Sequence, residues 1–182
     1  PQEYFRGGSG WRGDALRGGG VLLNQGVHHA DLLCWWLGDP VEGRGFEGPR
    51  AEGLSAPETL GGSARFASGA VATMLLSTAS RPGLPEFIEV VGEKGAIQIE
   101  GGRVRVWDVP GQRPKGLLGP LTGKLPLPLR TALTAEALST PVDGRLEDQL
   151  AHFAEAIEGR ASLLSSGEDG LRALRLVRML AS

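Results

Sequence analysis

Strand-like patterns in this chain come in one run, with helical patterns only before and after it. Residues 63–66 and 70–77 are rich in short apolar side chains and meet at Ala67-Ser68-Gly69, a hairpin-type turn. Residues 87–91, 96–100 and 103–107 follow as three more strands, joined by Gly92-Glu93-Lys94-Gly95 and Gly101-Gly102, which tolerate the positive φ of tight turns. Val104 and Val106 alternate with Arg103 and Arg105, as on a sheet with one buried and one wet face. The order helix, strands, two helices predicts an α+β fold: an open, mostly antiparallel sheet with helices packed on one face, because the βαβ alternation of a parallel sheet is missing.

The leading helix is expected over residues 21–37, where Leu23, Val27, Ala30, Cys34 and Leu37 form a stripe at about 100° per residue. Gly38-Asp39-Pro40 stops it. Near the other end, Leu146, Leu150, Phe153 and Ile157 make a stripe ending at Gly159. A last helix from about Glu168 sets Leu171, Leu174, Val177 and Leu180 on one side, with Arg172, Arg175 and Arg178 away from it. Residues 1–20 read as an irregular glycine-rich loop ending in Gly18-Gly19-Gly20, and the proline-rich 110–143 as either a long lid-like loop or a disordered stretch.

With 182 residues, the default is one domain: loop 1–20, helix 21–37, sheet 60–108, loop 110–143, two helices over 145–182. The formal charge of -2, with Lys and Arg scattered singly, argues against nucleic acid as a partner. No apolar run reaches the roughly 20 residues of a membrane span, and the first residues lack the layout of a secretion signal. The single cysteine closes no internal disulfide, and a cytoplasmic location is expected.

Chemistry points to the first helix. Asn24, His28 and Asp31 fall at i, i+4 and i+7 and share a sector beside the buried stripe. Histidine titrates near neutral pH, and an amide or carboxylate beside it can orient its ring. Spacing alone leans towards the plainer reading, a hydrogen-bonded histidine without catalytic duty. His29 lies about 100° away, so it reads as structural or solvent-facing. His28, Asp31 and Cys34 lack a second ligand cluster, so no metal is expected. The glycine triplet is either an anion-binding approach to the helix start or a flexible lead-in. No G-x-G-x-x-G follows a strand, so a dinucleotide-binding Rossmann fold is absent from these residues.

Several segments together carry a resemblance: Trp11-Arg12-Gly13, the run GGGVLLNQGVHHADLL over 18–33, and Trp36-Leu37-Gly38. PETLGGSARFASGAVATMLLSTASRPG, FIEVVGEKGAIQIEGGRVRVW, FAEAIEGR and SSGEDGLRALRLV extend it over nearly the whole chain. The chain resembles the C-terminal domain of the glucose-fructose oxidoreductase, inositol dehydrogenase and MocA family. The resemblance implies a glyceraldehyde-3-phosphate-dehydrogenase-like C-terminal fold and an NAD- or NADP-dependent dehydrogenase acting on a secondary alcohol of a sugar or sugar nucleotide. His28, in Gly26-x-His28-x-x-Asp31, matches the catalytic histidine, while Asp31 matches a structural position. Asn24 stands where many members carry a substrate-binding aspartate, and its Asn-Gln-Gly form resembles members that oxidise nucleotide-linked amino sugars. Trp11 and Arg12 match a pair that touches the cofactor in some members. The cofactor's Rossmann domain and a Glu-Lys-Pro lysine precede this domain in the family, so the isolated chain is expected to be inactive. Homo-oligomers through the open sheet face are implied as well. The alternative is a non-catalytic binding or assembly module derived from the same family.

Overall fold

The structure is a computed structural model and describes Phe5 and residues 8–101, 103–108 and 146–182. It divides into two compact units, Pro1–Arg81 with Gly159–Ser182, and Pro82–Glu158.

In the first unit, strands β1 (Pro40–Glu47), β2 (Thr59–Phe66) and β3 (Val71–Ser77) form an antiparallel sheet with β2 in the middle, Ser63 standing opposite both Arg44 and Thr73. β2 turns into β3 at the expected place, with Gly69 at φ 88°. The side chains of β2 alternate: Leu60, Ala64 and Phe66 are buried, and so is Leu76 of β3. Against that face lie helix α1 (Val27–Leu37) and helix α3 (Gly167–Leu180). Ala30 and Cys34 of α1 and Ala173, Leu176, Val177 and Leu180 of α3 join Leu60, Phe66 and Leu76 in one core.

β1 has no apolar alternation in sequence, and the packing explains why. Its helix-facing positions are Gly43 and Gly45. A Cβ on Gly43 would stand 3.0 Å from that of Met179, and one on Gly45 would collide with the carbonyl of Leu180. The helix approaches too closely for side chains, so the helix-facing side of this strand is written in glycine.

The second unit holds β4 (Phe87–Gly92), β5 (Gly95–Glu100) and β6 (Arg103–Asp108), again antiparallel, and helix α2 (Leu146–Ile157). The α+β class and the antiparallel pairing are as the sequence indicates, but the strands form two three-stranded sheets and not one. The expected burial of Val104 and Val106 and the loop over 110–143 lie outside the described residues.

Two stripes are rotated from expectation. On α3, Leu171 and Leu174 are each 50 % exposed, and the buried line runs through Ala173, Leu176, Val177 and Leu180. Arg172, expected on the wet side, is half-buried and pairs with Asp39 at 3.2 Å and Asp169 at 2.8 Å, tying α3 to the chain entering β1. On the first helix Leu23 is exposed and Leu22 buried. Residues Leu22–Gly26 form a single π-helical turn before α1. Such a turn takes more residues than an α turn, so counting back from α1 at 100° per residue misplaces everything ahead of Val27.

Candidate functional site

The site is built at the start of the helix, where a glycine-rich loop, a π turn and α1 meet. Residues 8–17 make short 3-10 turns with a kink at Ser9 and Gly10, and Asp14 caps the last by accepting from the amide of Leu16 at 3.0 Å. Ser9 takes a left-handed φ of 63°, and Arg17 donates to its carbonyl and hydroxyl at 3.3 Å. The loop then folds back on itself. The amide of Gly20 donates to the carbonyl of Arg12, and that of Gly19 to the carbonyl of Asp14, both at 2.8 Å. A side chain on Gly19 would strike the carbonyls of Arg12 and Asp14, so the close approach requires glycine there. Gly20 adopts φ 100°.

These bonds bring Trp11 and Arg12, nine and eight residues earlier in sequence, to Gly20, just ahead of the π turn and α1. Both are half-buried, and the Arg12 guanidinium lies over the Trp11 ring at 5.2 Å from its centroid. At the helix start, the half-buried Asn24 donates from Nδ2 to the carbonyl of Gly20 at 2.9 Å. This bond sets the amide: Nδ2 faces the backbone, leaving Oδ1 as an acceptor.

His28 is exposed on the first turn of α1, and its ring makes no hydrogen bond within the described residues. Its ring is therefore available, but neither Asn24 nor Asp31 orients it, since the amide turns to Gly20 and Asp31 is exposed. His29 is half-buried, and its Nδ1 donates to the carbonyl of Gln25 at 3.1 Å. Cys34 is 3 % exposed on the core side of the helix, whereas His28 and Asp31 face solvent, so these three do not converge. Burial pushes the Cys34 thiol up to about 11. Among the described residues no group of three His, Cys, Asp or Glu side chains could hold a metal, and no helix is long and apolar enough to cross a membrane.

Reading the sequence alone misses one set of contacts. Ser55, Ala56 and Pro57 all bond to the loop or to the helix start, about 40 residues away, and no local pattern announces them.

A glycine-folded loop carrying Trp-Arg-Gly, joined to a helix that opens Asn-Gln-Gly-Val-His, is the family signature placed in space, and a family model for the GFO/IDH/MocA C-terminal domain matches residues 2–98. The chain belongs to that family. Solved structures share the fold. The WlbA dehydrogenase from Bordetella pertussis, in complex with NADH and UDP-GlcNAcA, is 23 % identical with a TM-score of 0.73, covering 100 % of this chain and 47 % of its own. An NAD-binding oxidoreductase from Klebsiella pneumoniae is 15 % identical with a TM-score of 0.66, over 94 % of this chain and 50 % of its own. The UDP-N-acetylglucosamine 3-dehydrogenase GnnA from Acidithiobacillus ferrooxidans is 15 % identical with a TM-score of 0.63, over 88 % of this chain and 47 % of its own. This GFO/IDH/MocA domain thus spans about half the length of the structures it matches. No curated protein sequence matches it.

Proposed function

We propose that this chain is the substrate-binding and catalytic half of an NAD(P)-dependent dehydrogenase that acts on a secondary alcohol of a sugar or sugar nucleotide. The observation that carries this reading is the joining of the Trp11-Arg12 loop to the start of the helix that presents Asn24 and His28. Sugar-nucleotide and nicotinamide ligands are named for the B. pertussis protein, and they are extended here to this chain.

The residues present fit a nicotinamide dinucleotide by their chemistry. An indole and a guanidinium, half-buried side by side, suit a ligand that carries both aromatic rings and phosphate charge. Trp11 and Arg12 would hold it from this side, and its phosphate-cradling turn belongs to a Rossmann domain. When bound, the nicotinamide supplies a hydride acceptor or donor. His28 takes the proton of the substrate hydroxyl as the alcohol becomes a carbonyl, and returns it in the reverse direction. An exposed imidazole suits this task, since it can exchange that proton with water between turnovers. Asn24 contributes Oδ1 to a substrate hydroxyl or amide N–H, and having no titration near neutral pH it orients without shuttling protons.

The sheet face opposite the helices exposes Phe46, Val71 and Leu75, at 65, 69 and 81 %. It is the proposed contact with a second copy, and light scattering should find a dimer or larger assembly.

The decisive experiment joins this chain to a dinucleotide-binding half and measures single-turnover NAD reduction with UDP-GlcNAcA. His28→Ala is expected to slow hydride transfer by about 10² to 10⁴-fold with the fold intact, the range usual for a lost general acid or base. His29→Ala is the control. Equal losses in the two variants would remove His28 from the role.

A further inference from the structure

One short segment, Ser55 to Pro57, holds the loop and the helix in register. The carbonyl of Gly13 accepts from the amides of Ser55 and Ala56, both at 3.0 Å. The Ser55 hydroxyl accepts from the amide of Ala15 at 3.0 Å and donates to the carbonyl of Gly13 at 3.4 Å. The carbonyl of Pro57 accepts from the amide of Val21, the residue that precedes the π turn, at 2.9 Å. The strap is itself anchored. Next to it Glu58, 5 % exposed, accepts from the amide of Ala51 at 3.0 Å through its carboxylate, closing the loop before β2. Its carbonyl accepts from the amide of Thr78 at 2.9 Å, just past the end of β3.

We propose that Ser55 is a positioning residue for the cofactor-facing loop, setting Trp11 and Arg12 relative to the helix of Asn24 and His28. Backbone bonds fix Gly13 and Val21 whatever the residue at 55. The amide of Ala15, at the start of the turn that returns the chain to Gly18-Gly19-Gly20, takes its bond from the hydroxyl alone. Only a side chain that donates and accepts at one atom bridges Ala15 and Gly13 together, which a hydroxyl does and a methyl does not. The position is exposed, so its loss opens no core cavity.

This inference rests on the proposed function, and the test separates the two. In the chain joined to its dinucleotide-binding half, NADH affinity is measured by fluorescence titration without substrate, beside steady-state kinetics and thermal melting. Ser55→Ala is expected to weaken NADH binding about 3- to 10-fold, the range of one or two ordinary hydrogen bonds, with kcat at saturating cofactor nearly unchanged. Ser55→Thr, which keeps the hydroxyl, restores the affinity. A lower melting temperature with NADH affinity intact, or a loss that Ser55→Thr does not recover, overturns the assignment. If the unsubstituted protein binds no NADH, both readings fall. If it binds NADH and His28→Ala is inactive while Ser55→Ala matches the unsubstituted protein, this inference alone falls.

Discussion

Helices α2 and α3 carry similar sequence signatures, an apolar line on an otherwise polar surface, yet they end in opposite situations. α3 buries Ala173, Leu176, Val177 and Leu180 against the first sheet and α1. α2 exposes Leu146, Leu150, Phe153 and Ile157 at 69, 60, 55 and 71 %. The contrast extends to the units: among the residues whose side chains are described, which leave out those of β6, every buried hydrophobic one belongs to the first unit. The first unit, which carries His28 and Asn24, holds its own core. An amphipathic pattern shows that a helix has an apolar face, and something outside the helix decides what that face meets.

The largest test of this contrast is a truncation in each unit. Leu60→Ala or Leu176→Ala, at sites with 0 % exposure, should cost about 2–5 kcal/mol in urea unfolding. Phe153→Ala should change stability by about 0.5 kcal/mol or less, as exposed positions do. Comparable losses would show the two units equally packed.

Cys34 reports on the same core. Its burial raises the folded-state thiol to about 11 from the ordinary 9.0, with the nearby Arg172 pulling the other way. Because the folded value is the higher one, the associated stability is complete below pH 9.0 and lost as pH rises through about 11. At pH 8 a thiol reagent should therefore modify Cys34 only as fast as the first unit opens, and Leu176→Ala should speed the reaction. Rapid labelling of the unsubstituted protein would break the picture of a closed core.

The smallest effect concerns the start of α3. The Ser166 hydroxyl accepts from the amide of Asp169 at 3.3 Å, and the Asp169 carboxylate accepts from the amide and hydroxyl of Ser166 at 2.7 and 2.8 Å. Ser166→Ala should cost about 1 kcal/mol. Hydrogen bonds from Ser166 hold Asp169 below its usual 3.8, so this contribution is present above pH 3.8 and fades as pH falls through the lower folded value. In Ser166→Ala the acid end of the stability curve should flatten only in part, because the amide of residue 166, the larger cause, is kept. An unchanged pH profile would leave the cap without an energetic role.

The places where sequence failed are physically specific. The hairpin at Ala67-Ser68-Gly69, the stop at Gly38 and the helix at His28 follow from local rules, because turn chemistry and helical spacing act over a few residues. Asn24, His28, Trp11 and Arg12 were legible as candidates, but their relation was not. β1 was invisible because its inner face is glycine, a choice made by the backbone of α3 and not by β1 itself. The π turn hid in an apparently continuous helical pattern and moved Leu23 outward.

What the sequence by itself determined is the succession of helix, strands and helices apart from β1, the α+β class, the family and the identity of a histidine on the first helix. Each depends on residue types and short spacings. The tertiary structure alone decided that Gly20 meets Arg12 and that Ser55 bridges a loop some 40 residues before it. These are hydrogen bonds between groups far apart along the chain, satisfied only when the whole first unit has packed, and no local preference encodes their partners.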